Sequence, residues 1–154
     1  MTRFPYEKIQ ASPSFADPVP FIYRPTIPLT IYGLTKVYLT KGLLDTGAEE
    51  TILPRSLLDG RELDPAIRMG EVDELRGADG RLFEVTYGTV DLAVKLRRKT
   101  YRWHAKVAFH VGRNEVLLGD AGFLRYFVAT FNRPALYTTL KPVGEFPRAI
   151  MPTR

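Results

Sequence analysis

Cysteine is absent from the 154 residues, and histidine occurs only twice, as His104 and His110. The first absence excludes disulfides, thiol catalysis and every cysteine-ligated metal site; the second excludes a metal centre built from several imidazoles. No apolar run approaches the roughly 18 to 20 residues that cross a bilayer. The N-terminal MTRFPYEKIQ also lacks the apolar stretch of a secretion signal. These absences point to a cytoplasmic protein with no membrane segment, no metal and no cofactor. What remains is ordinary for a globular chain: 45% hydrophobic residues, 12% aromatic, and a length that fits one domain with a real core. The net charge of +5 permits an acidic partner without demanding one.

Proline is unevenly spread. Of the twelve, Pro5, Pro13, Pro18, Pro20, Pro25 and Pro28 fall in the first 28 residues. Proline fixes φ and lacks an N–H donor, so helix and central strand are both disfavoured there. Residues 1–25 are expected to form an extended arm, and Phe4, Tyr6, Phe15, Phe21 and Tyr23 favour an arm that packs on something. Residues 26–141 are read as the domain proper, and 142–154 as a C-terminal tail.

Within the domain the pattern is that of short strands. TIPLTIYG and LTKVYLTKGLL are β-branched, partly alternating runs separated at Gly33, the pattern of a hairpin. TILP is a further short run, and RSLLDG suits one helical turn closed by Gly60. GEVDEL, RGADG and RLFEVTYGTVDLAVKL read as a long hairpin with a glycine-rich tip. YRWHAKVAFHV is placed beside TVDLAVKL through the polar turn RRKT. GDAGFLRYF is the best helix candidate, since it sets Phe123, Leu124 and Phe127 on one side. VATFN and ALYTTL close the chain as strands. The fold class is mostly β, in one domain, with a single short helix near the C-terminus.

The chemistry concentrates in LLDTGAEETILP, residues 43–54. An apolar run delivers one carboxylate, Asp45, onto a tight Thr-Gly turn, and no second Asp-Thr-Gly or Asp-Ser-Gly occurs in the chain. The tripeptide alone is an ordinary turn. Taken with RGADG and VLLGDAGFL in this order, however, the sequence resembles the retropepsin-like (retroviral-type) aspartic proteases, nearer to their non-viral members, over residues 26–141. The resemblance implies an acid-protease β-barrel that works as a C2 homodimer. It also implies an Asp45–Thr46–Gly47 catalytic loop and a flap at Gly77, Ala78, Asp79 and Gly80. One departure stands out. Retroviral members carry Gly-Arg-Asp or Gly-Arg-Asn where this chain has Gly119-Asp120-Ala121, so the dimer tie that their arginine makes must be replaced or absent.

On that resemblance the lone acid has a meaning. Hydrolysis of a peptide without metal or nucleophile needs a base for water and an acid for the leaving nitrogen. Two carboxylates about 4 Å apart at an effective dielectric of about 20 repel by roughly 4 kcal/mol. That separates their ionisations by about three pH units, so one stays protonated beside its ionised neighbour. One chain supplies one aspartate, and a second copy would supply the other. Gly47 is expected to let its N–H reach the carboxylate, and by resemblance the Thr46 hydroxyl bonds across the dimer axis. Ala48 stands where two-lobed relatives carry a hydrogen-bonding serine, which would leave the dyad less acidic. Glu49 and Glu50 fall where the family binds substrate backbone, although solvated surface charge explains them equally. RGADG would also suit a plain hairpin turn, which its Asp-Gly explains, but its place between the catalytic loop and the Leu-Leu-Gly segment favours the flap. Leu117, Leu118 and Gly119 are read as structural, with glycine where a strand passes close behind the loop.

LAVKLRRKTYRWHAKVAFHVGRN holds seven Lys or Arg and no acid. Interleaved with Tyr101, Trp103 and His104, it suits a nucleic-acid surface, but a half-exposed strand with its basic residues facing water gives the same alternation. The leading expectation is an aspartic endopeptidase acting on extended peptide or protein segments. A catalytically silent peptide-binding dimer of the same fold and, less favoured, a basic nucleic-acid-binding module are the alternatives.

Overall fold

The computed structural model describes residues 1–33, 36–59, 72–144 and 146. Its elements, in chain order, are β1 (Thr2–Pro5), β2 (Glu7–Gln10), β3 (Phe21–Arg24), β4 (Thr26–Tyr32), β5 (Val37–Leu44), β6 (Ile52–Pro54) and the single helical turn α1 (Ser56–Asp59). They continue with β7 (Val72–Arg76), β8 (Leu82–Leu96), β9 (Lys99–His110), β10 (Val116–Leu118), β11 (Phe127–Asn132) and β12 (Tyr137–Pro142). Strands dominate, as the alternating runs predict. Gly60, Gly70 and Glu71, which figure in the sequence reading, lie outside the described residues.

Six strands close on themselves in the order β4-β5-β10-β6-β9-β8, with β8 pairing back to β4 through Thr30↔Ala93, Ile31↔Leu92 and Tyr32↔Asp91. Closure removes the free edges that an open sheet would leave. β4 shows the period-2 logic: Ile27, Leu29 and Ile31 are buried while their neighbours are more open. Pro28 is tolerated because β8 pairs with β4 only at residues 30–32, so a missing N–H at residue 28 breaks no ladder bond there. β7 extends the sheet beyond β8 as the expected long hairpin, in register from Val72↔Thr86 to Arg76↔Leu82.

The barrel interior holds Ile27, Leu29, Ile31, Leu44, Leu53, Leu92, Trp103, Val107, Phe109 and Leu118. Each such burial contributes about 1.5–3 kcal/mol. Trp103 is fully buried, donates from Nε1 to the Gly122 carbonyl at 2.9 Å, and packs against Phe123, Tyr126, Phe127 and Phe146. A second, smaller cluster (Ile52, Val85, Ala108 and Leu117, with Leu43, Leu75, Phe83 and Tyr87 packed on it) lies on the other face of the same strands. Neighbours in sequence are therefore divided between the two: Leu43 and Leu44, Ile52 and Leu53, Leu117 and Leu118. The hairpin β7–β8 supplies Leu75, Val85, Phe83 and Tyr87 to the smaller cluster, so it roofs that face.

The segment expected to be an extended arm forms β1, at the edge of a three-stranded sheet ordered β1-β12-β11, and the β2–β3 hairpin. Phe4 is buried in the main core, and Lys41–Glu7 and Arg24–Glu115 ion pairs tie the hairpin to the barrel. Phe146, from the tail, joins the Trp103 aromatics.

The C-terminal helix is not formed. GDAGFLRYF yields only a three-residue 3-10 turn, Leu124–Tyr126. Gly119, Asp120 and Ala121 are held in extended contact with the 48–51 segment, and Gly122 takes φ +88° where a Cβ would meet the Lys106 carbonyl at 2.6 Å. Too few residues remain before β11 to nucleate an α-helix. Phe123 and Phe127 are buried from this tight turn instead.

Candidate functional site

β5 delivers Asp45 at its C-terminal end. β10 runs parallel beside it (Leu117↔Leu43, Leu118↔Leu44), and the Asp45 N–H donates to the Leu118 carbonyl at 3.2 Å. Strand parity carries Asp45 to the Leu43 side, the face roofed by the β7–β8 hairpin. Residues 45–48 then make a β-turn, with the Ala48 N–H donating to the Asp45 carbonyl at 3.2 Å. The Gly47 N–H donates to Asp45 Oδ1 at 2.9 Å, an Asx turn that fixes the direction of the carboxylate. Among the described residues Asp45 Oδ2 has no partner, and Asp45 is half-buried while Thr46 and Gly47 are exposed. The arrangement presents one oriented carboxylate oxygen at the surface of the chain.

Gly47 differs from its expected role in one respect. It is not among the residues with positive φ, so the turn does not rest on left-handed backbone. A Cβ there would sit 3.4 Å from Asp45 Oδ1, and glycine keeps that flank of the carboxylate open.

Behind the turn, the backbone of 48–51 is clamped. The Asp120 N–H donates to the Ala48 carbonyl at 3.0 Å, Ala121 to Glu49 at 2.8 Å, and Thr51 to Ala121 at 2.9 Å. Gly119 makes this approach possible: a Cβ would meet the Glu50 carbonyl oxygen at 2.2 Å and the Ala48 carbonyl oxygen at 2.8 Å. Glycine is required there by space, as the sequence suggests.

Glu49 is exposed and Glu50 half-buried. Burial pushes the Glu50 carboxyl above the usual range; Arg125 opposes that, and Glu49 and Asp120 add to it. The Tyr87 phenol is raised by burial and then by Glu50, Asp73 and Glu49. Glu50, Asp73 and Glu49, from the loop and the hairpin, thus lie near enough to Tyr87 to act on its phenol electrostatically. Arg125, from the 3-10 turn, pairs with Asp120 at 2.9 Å. A guanidinium therefore reaches this corner although position 120 is acidic. Tyr87, Asp73 and Arg125 were not singled out in the sequence, because nothing local links them to LLDTGAEE.

Gly77, Ala78, Asp79 and Gly80 form the turn at the hairpin tip. The Gly80 N–H donates to the Gly77 carbonyl at 2.9 Å, the Gly77 N–H to the Arg81 carbonyl at 2.8 Å, and Gly80 has φ +79°. Asp79 Oδ1 accepts from the Arg81 N–H at 3.0 Å. Among the described residues, none of the hydrogen bonds or ion pairs of 77–80 reaches residues 45–50.

The basic stretch is partly spoken for. Asp91, 4% exposed, accepts from Arg102 Nε at 3.1 Å and a terminal guanidinium nitrogen at 2.7 Å, and its other oxygen meets His104 Nδ1 at 3.0 Å. Arg102 also lies 3.8 Å over the Tyr32 ring. A buried charge of this kind needs its partners, so Arg102 and His104 are structural. Among the described residues no helix is long and apolar enough to cross a membrane.

No protein-family model and no curated protein matches the chain. Eight chains of solved structures match. One is a crystal structure of a retropepsin-like aspartic protease from Rickettsia conorii, 15% identical, with a TM-score of 0.43, covering 91% of this chain and 96% of that one.

Proposed function

We propose that the chain is an aspartic endopeptidase whose active form is a C2 homodimer, with Asp45 of each copy meeting at the axis. The observation that carries the reading is the Asp45 turn. Its carboxylate is oriented by the Gly47 N–H, its second oxygen is unpartnered among the described residues, and the loop behind it is clamped by Gly119–Ala121. A surface turn of no consequence has no need of a strand wedged behind it.

In the dimer, one Asp45 carboxylate takes a proton from a water molecule held between the pair, and the water oxygen attacks the peptide carbonyl carbon. The other, protonated Asp45 donates to the carbonyl oxygen. As the tetrahedral species collapses, a proton passes to the nitrogen and the C–N bond breaks. The titration belongs to the pair rather than to either residue. Thr46 is exposed at the turn, and in this reading its hydroxyl bonds across the axis to the partner loop. The smaller apolar cluster beneath the hairpin suits an extended peptide with apolar side chains, and Glu49 and Glu50 lie where its backbone would run. The tip at Gly77–Gly80 closes over the peptide and excludes water.

The test is incubation with unfolded casein from acid to neutral pH, with and without a statine-type inhibitor, beside Asp45→Asn. The near-isosteric change is expected to abolish hydrolysis while leaving fold and oligomeric state intact. Inhibitor-sensitive cleavage that survives in purified Asp45→Asn sinks the assignment. A wild-type dimer that cleaves nothing yet retains an extended peptide would be a catalytically silent peptide-binding protein of this fold.

A further inference from the structure

At the C-terminal end of β9 lies a surface cavity of about 320 Å³, lined by Arg55, Ser56, His110, Val111, Gly112, Arg113 and Asn114. Nothing in the proteolytic reading uses it. We propose that this cavity is an oxyanion site, taking an inorganic phosphate or the carboxylate of an acidic side chain between Arg55 and Arg113.

The donor set has one sign. Among the described residues the lining includes two arginines, a serine, an asparagine and a histidine, and neither Asp nor Glu. Among the described residues, neither Arg55 nor Arg113 makes an ion pair or side-chain hydrogen bond. Guanidiniums offer five N–H donors in a planar fork that matches carboxylate and phosphate oxygens. The volume is about ten times that of one water in the liquid and stands at the small end of ligand pockets.

The site is held in place from both sides. The Arg55 N–H donates to the His110 carbonyl at 2.9 Å, which fixes the start of α1 against the end of β9. Gly112, at φ +85°, turns the chain between His110 and Arg113, both of which line the cavity. The His110 ring packs edge-on against Phe83, with centroids 4.8 Å apart, and its Nδ1 is buried without a partner among the described residues. Burial and the Arg113 guanidinium hold the His110 imidazole below its ordinary pKa. The second cause places the guanidinium and the ring in one electrostatic field, and an anion between them would offset it.

The experiment is an NMR titration of Asp45→Asn protein with inorganic phosphate, following the two histidine rings at several pH values; the variant removes any cleavage. His104, locked to Asp91, is the internal reference. Saturable shifts confined to His110, with its titration midpoint raised by phosphate, are expected. Arg113→Gln and Arg55→Gln should each weaken the affinity by about tenfold, as loss of a charge-assisted hydrogen bond does, whereas Lys95→Gln, an exposed cation elsewhere, should not. A glutamate-rich peptide then separates the sources: displacement of phosphate assigns the site to an acidic side chain, and failure to compete assigns it to the small ion. Equal responses of both histidines, or binding unchanged in both arginine variants, overturns the proposal.

Discussion

Gly119 lies so close behind Glu50 that a Cβ on it would stand 2.2 Å from the Glu50 carbonyl oxygen. The atom in the way is backbone, which cannot rotate aside. Gly119→Ala must therefore push the 48–51 segment outward or displace β10, and the hydrogen bonds from Asp120 and Ala121 stretch with it. Overpacking of this kind costs about 1–3 kcal/mol. Chemical denaturation should show that loss, and proteolysis should fall further than the unfolded fraction explains, because Asp45 rides on the displaced turn. A variant with wild-type stability and activity contradicts the clamp.

Glu50 gives a pH-dependent effect whose sign follows from its raised pKa. A carboxyl whose folded pKa exceeds its unfolded value contributes stability below the unfolded value and loses it as pH rises through the folded one. Burial, the first cause of the shift, thus makes the ionised side chain a burden at neutral pH. Thermal melts should find Glu50→Gln more stable than wild type near neutrality, with the gap closing in acid. A variant that is less stable at neutral pH would mean that the Arg125 attraction outweighs burial.

Much of the barrel was legible in the sequence because its strands alternate. Ile27, Leu29 and Ile31 reveal the inward face of β4 directly, and the β8–β9 pairing follows from one polar turn. Gly119 was legible too, since glycine after Leu117-Leu118 has few other reasons. The rest depends on contacts between distant segments. Strand alternation puts Leu43 and Leu44 on opposite faces but cannot say that both faces are covered, nor that β10 inserts between β5 and β6. GDAGFLRYF carries a helical spacing of Phe123, Leu124 and Phe127, but backbone contacts at Ala121 and Gly122 override it. Arg125 stands five positions from Asp120, and only the tight turn brings them together; Arg55 and Arg113, 58 positions apart, line one cavity.

The hairpin tip separates turn chemistry from closure. Gly80 has φ +79° and open space around it, so a side chain there is strained by conformation alone. Gly80→Val should lower the melting temperature, while Gly80→Asn, which tolerates left-handed backbone, should not. If the tip closes on substrate, both variants raise KM or lower turnover. An effect on activity that merely tracks stability marks an ordinary turn.

On the proposed reading, Ala48 bears on the acid side of the pH profile. A serine hydroxyl would add a donor to the ionised carboxylate and favour the charged form. The pH optimum of Ala48→Ser should move downward. An optimum that stays put or rises removes the hydrogen-bond argument for this position.

The central claim is that each chain brings one Asp45 to a shared site, and subunit mixing tests it most directly. With wild-type and Asp45→Asn chains equimolar and freely exchanging, random pairing leaves only about a quarter of dimers with two aspartates. Activity per wild-type chain should fall to about half, with exchange verified by pull-down of differently tagged chains. Confirmed mixed dimers that retain full activity per wild-type chain would place the whole catalytic site within one chain and contradict the account.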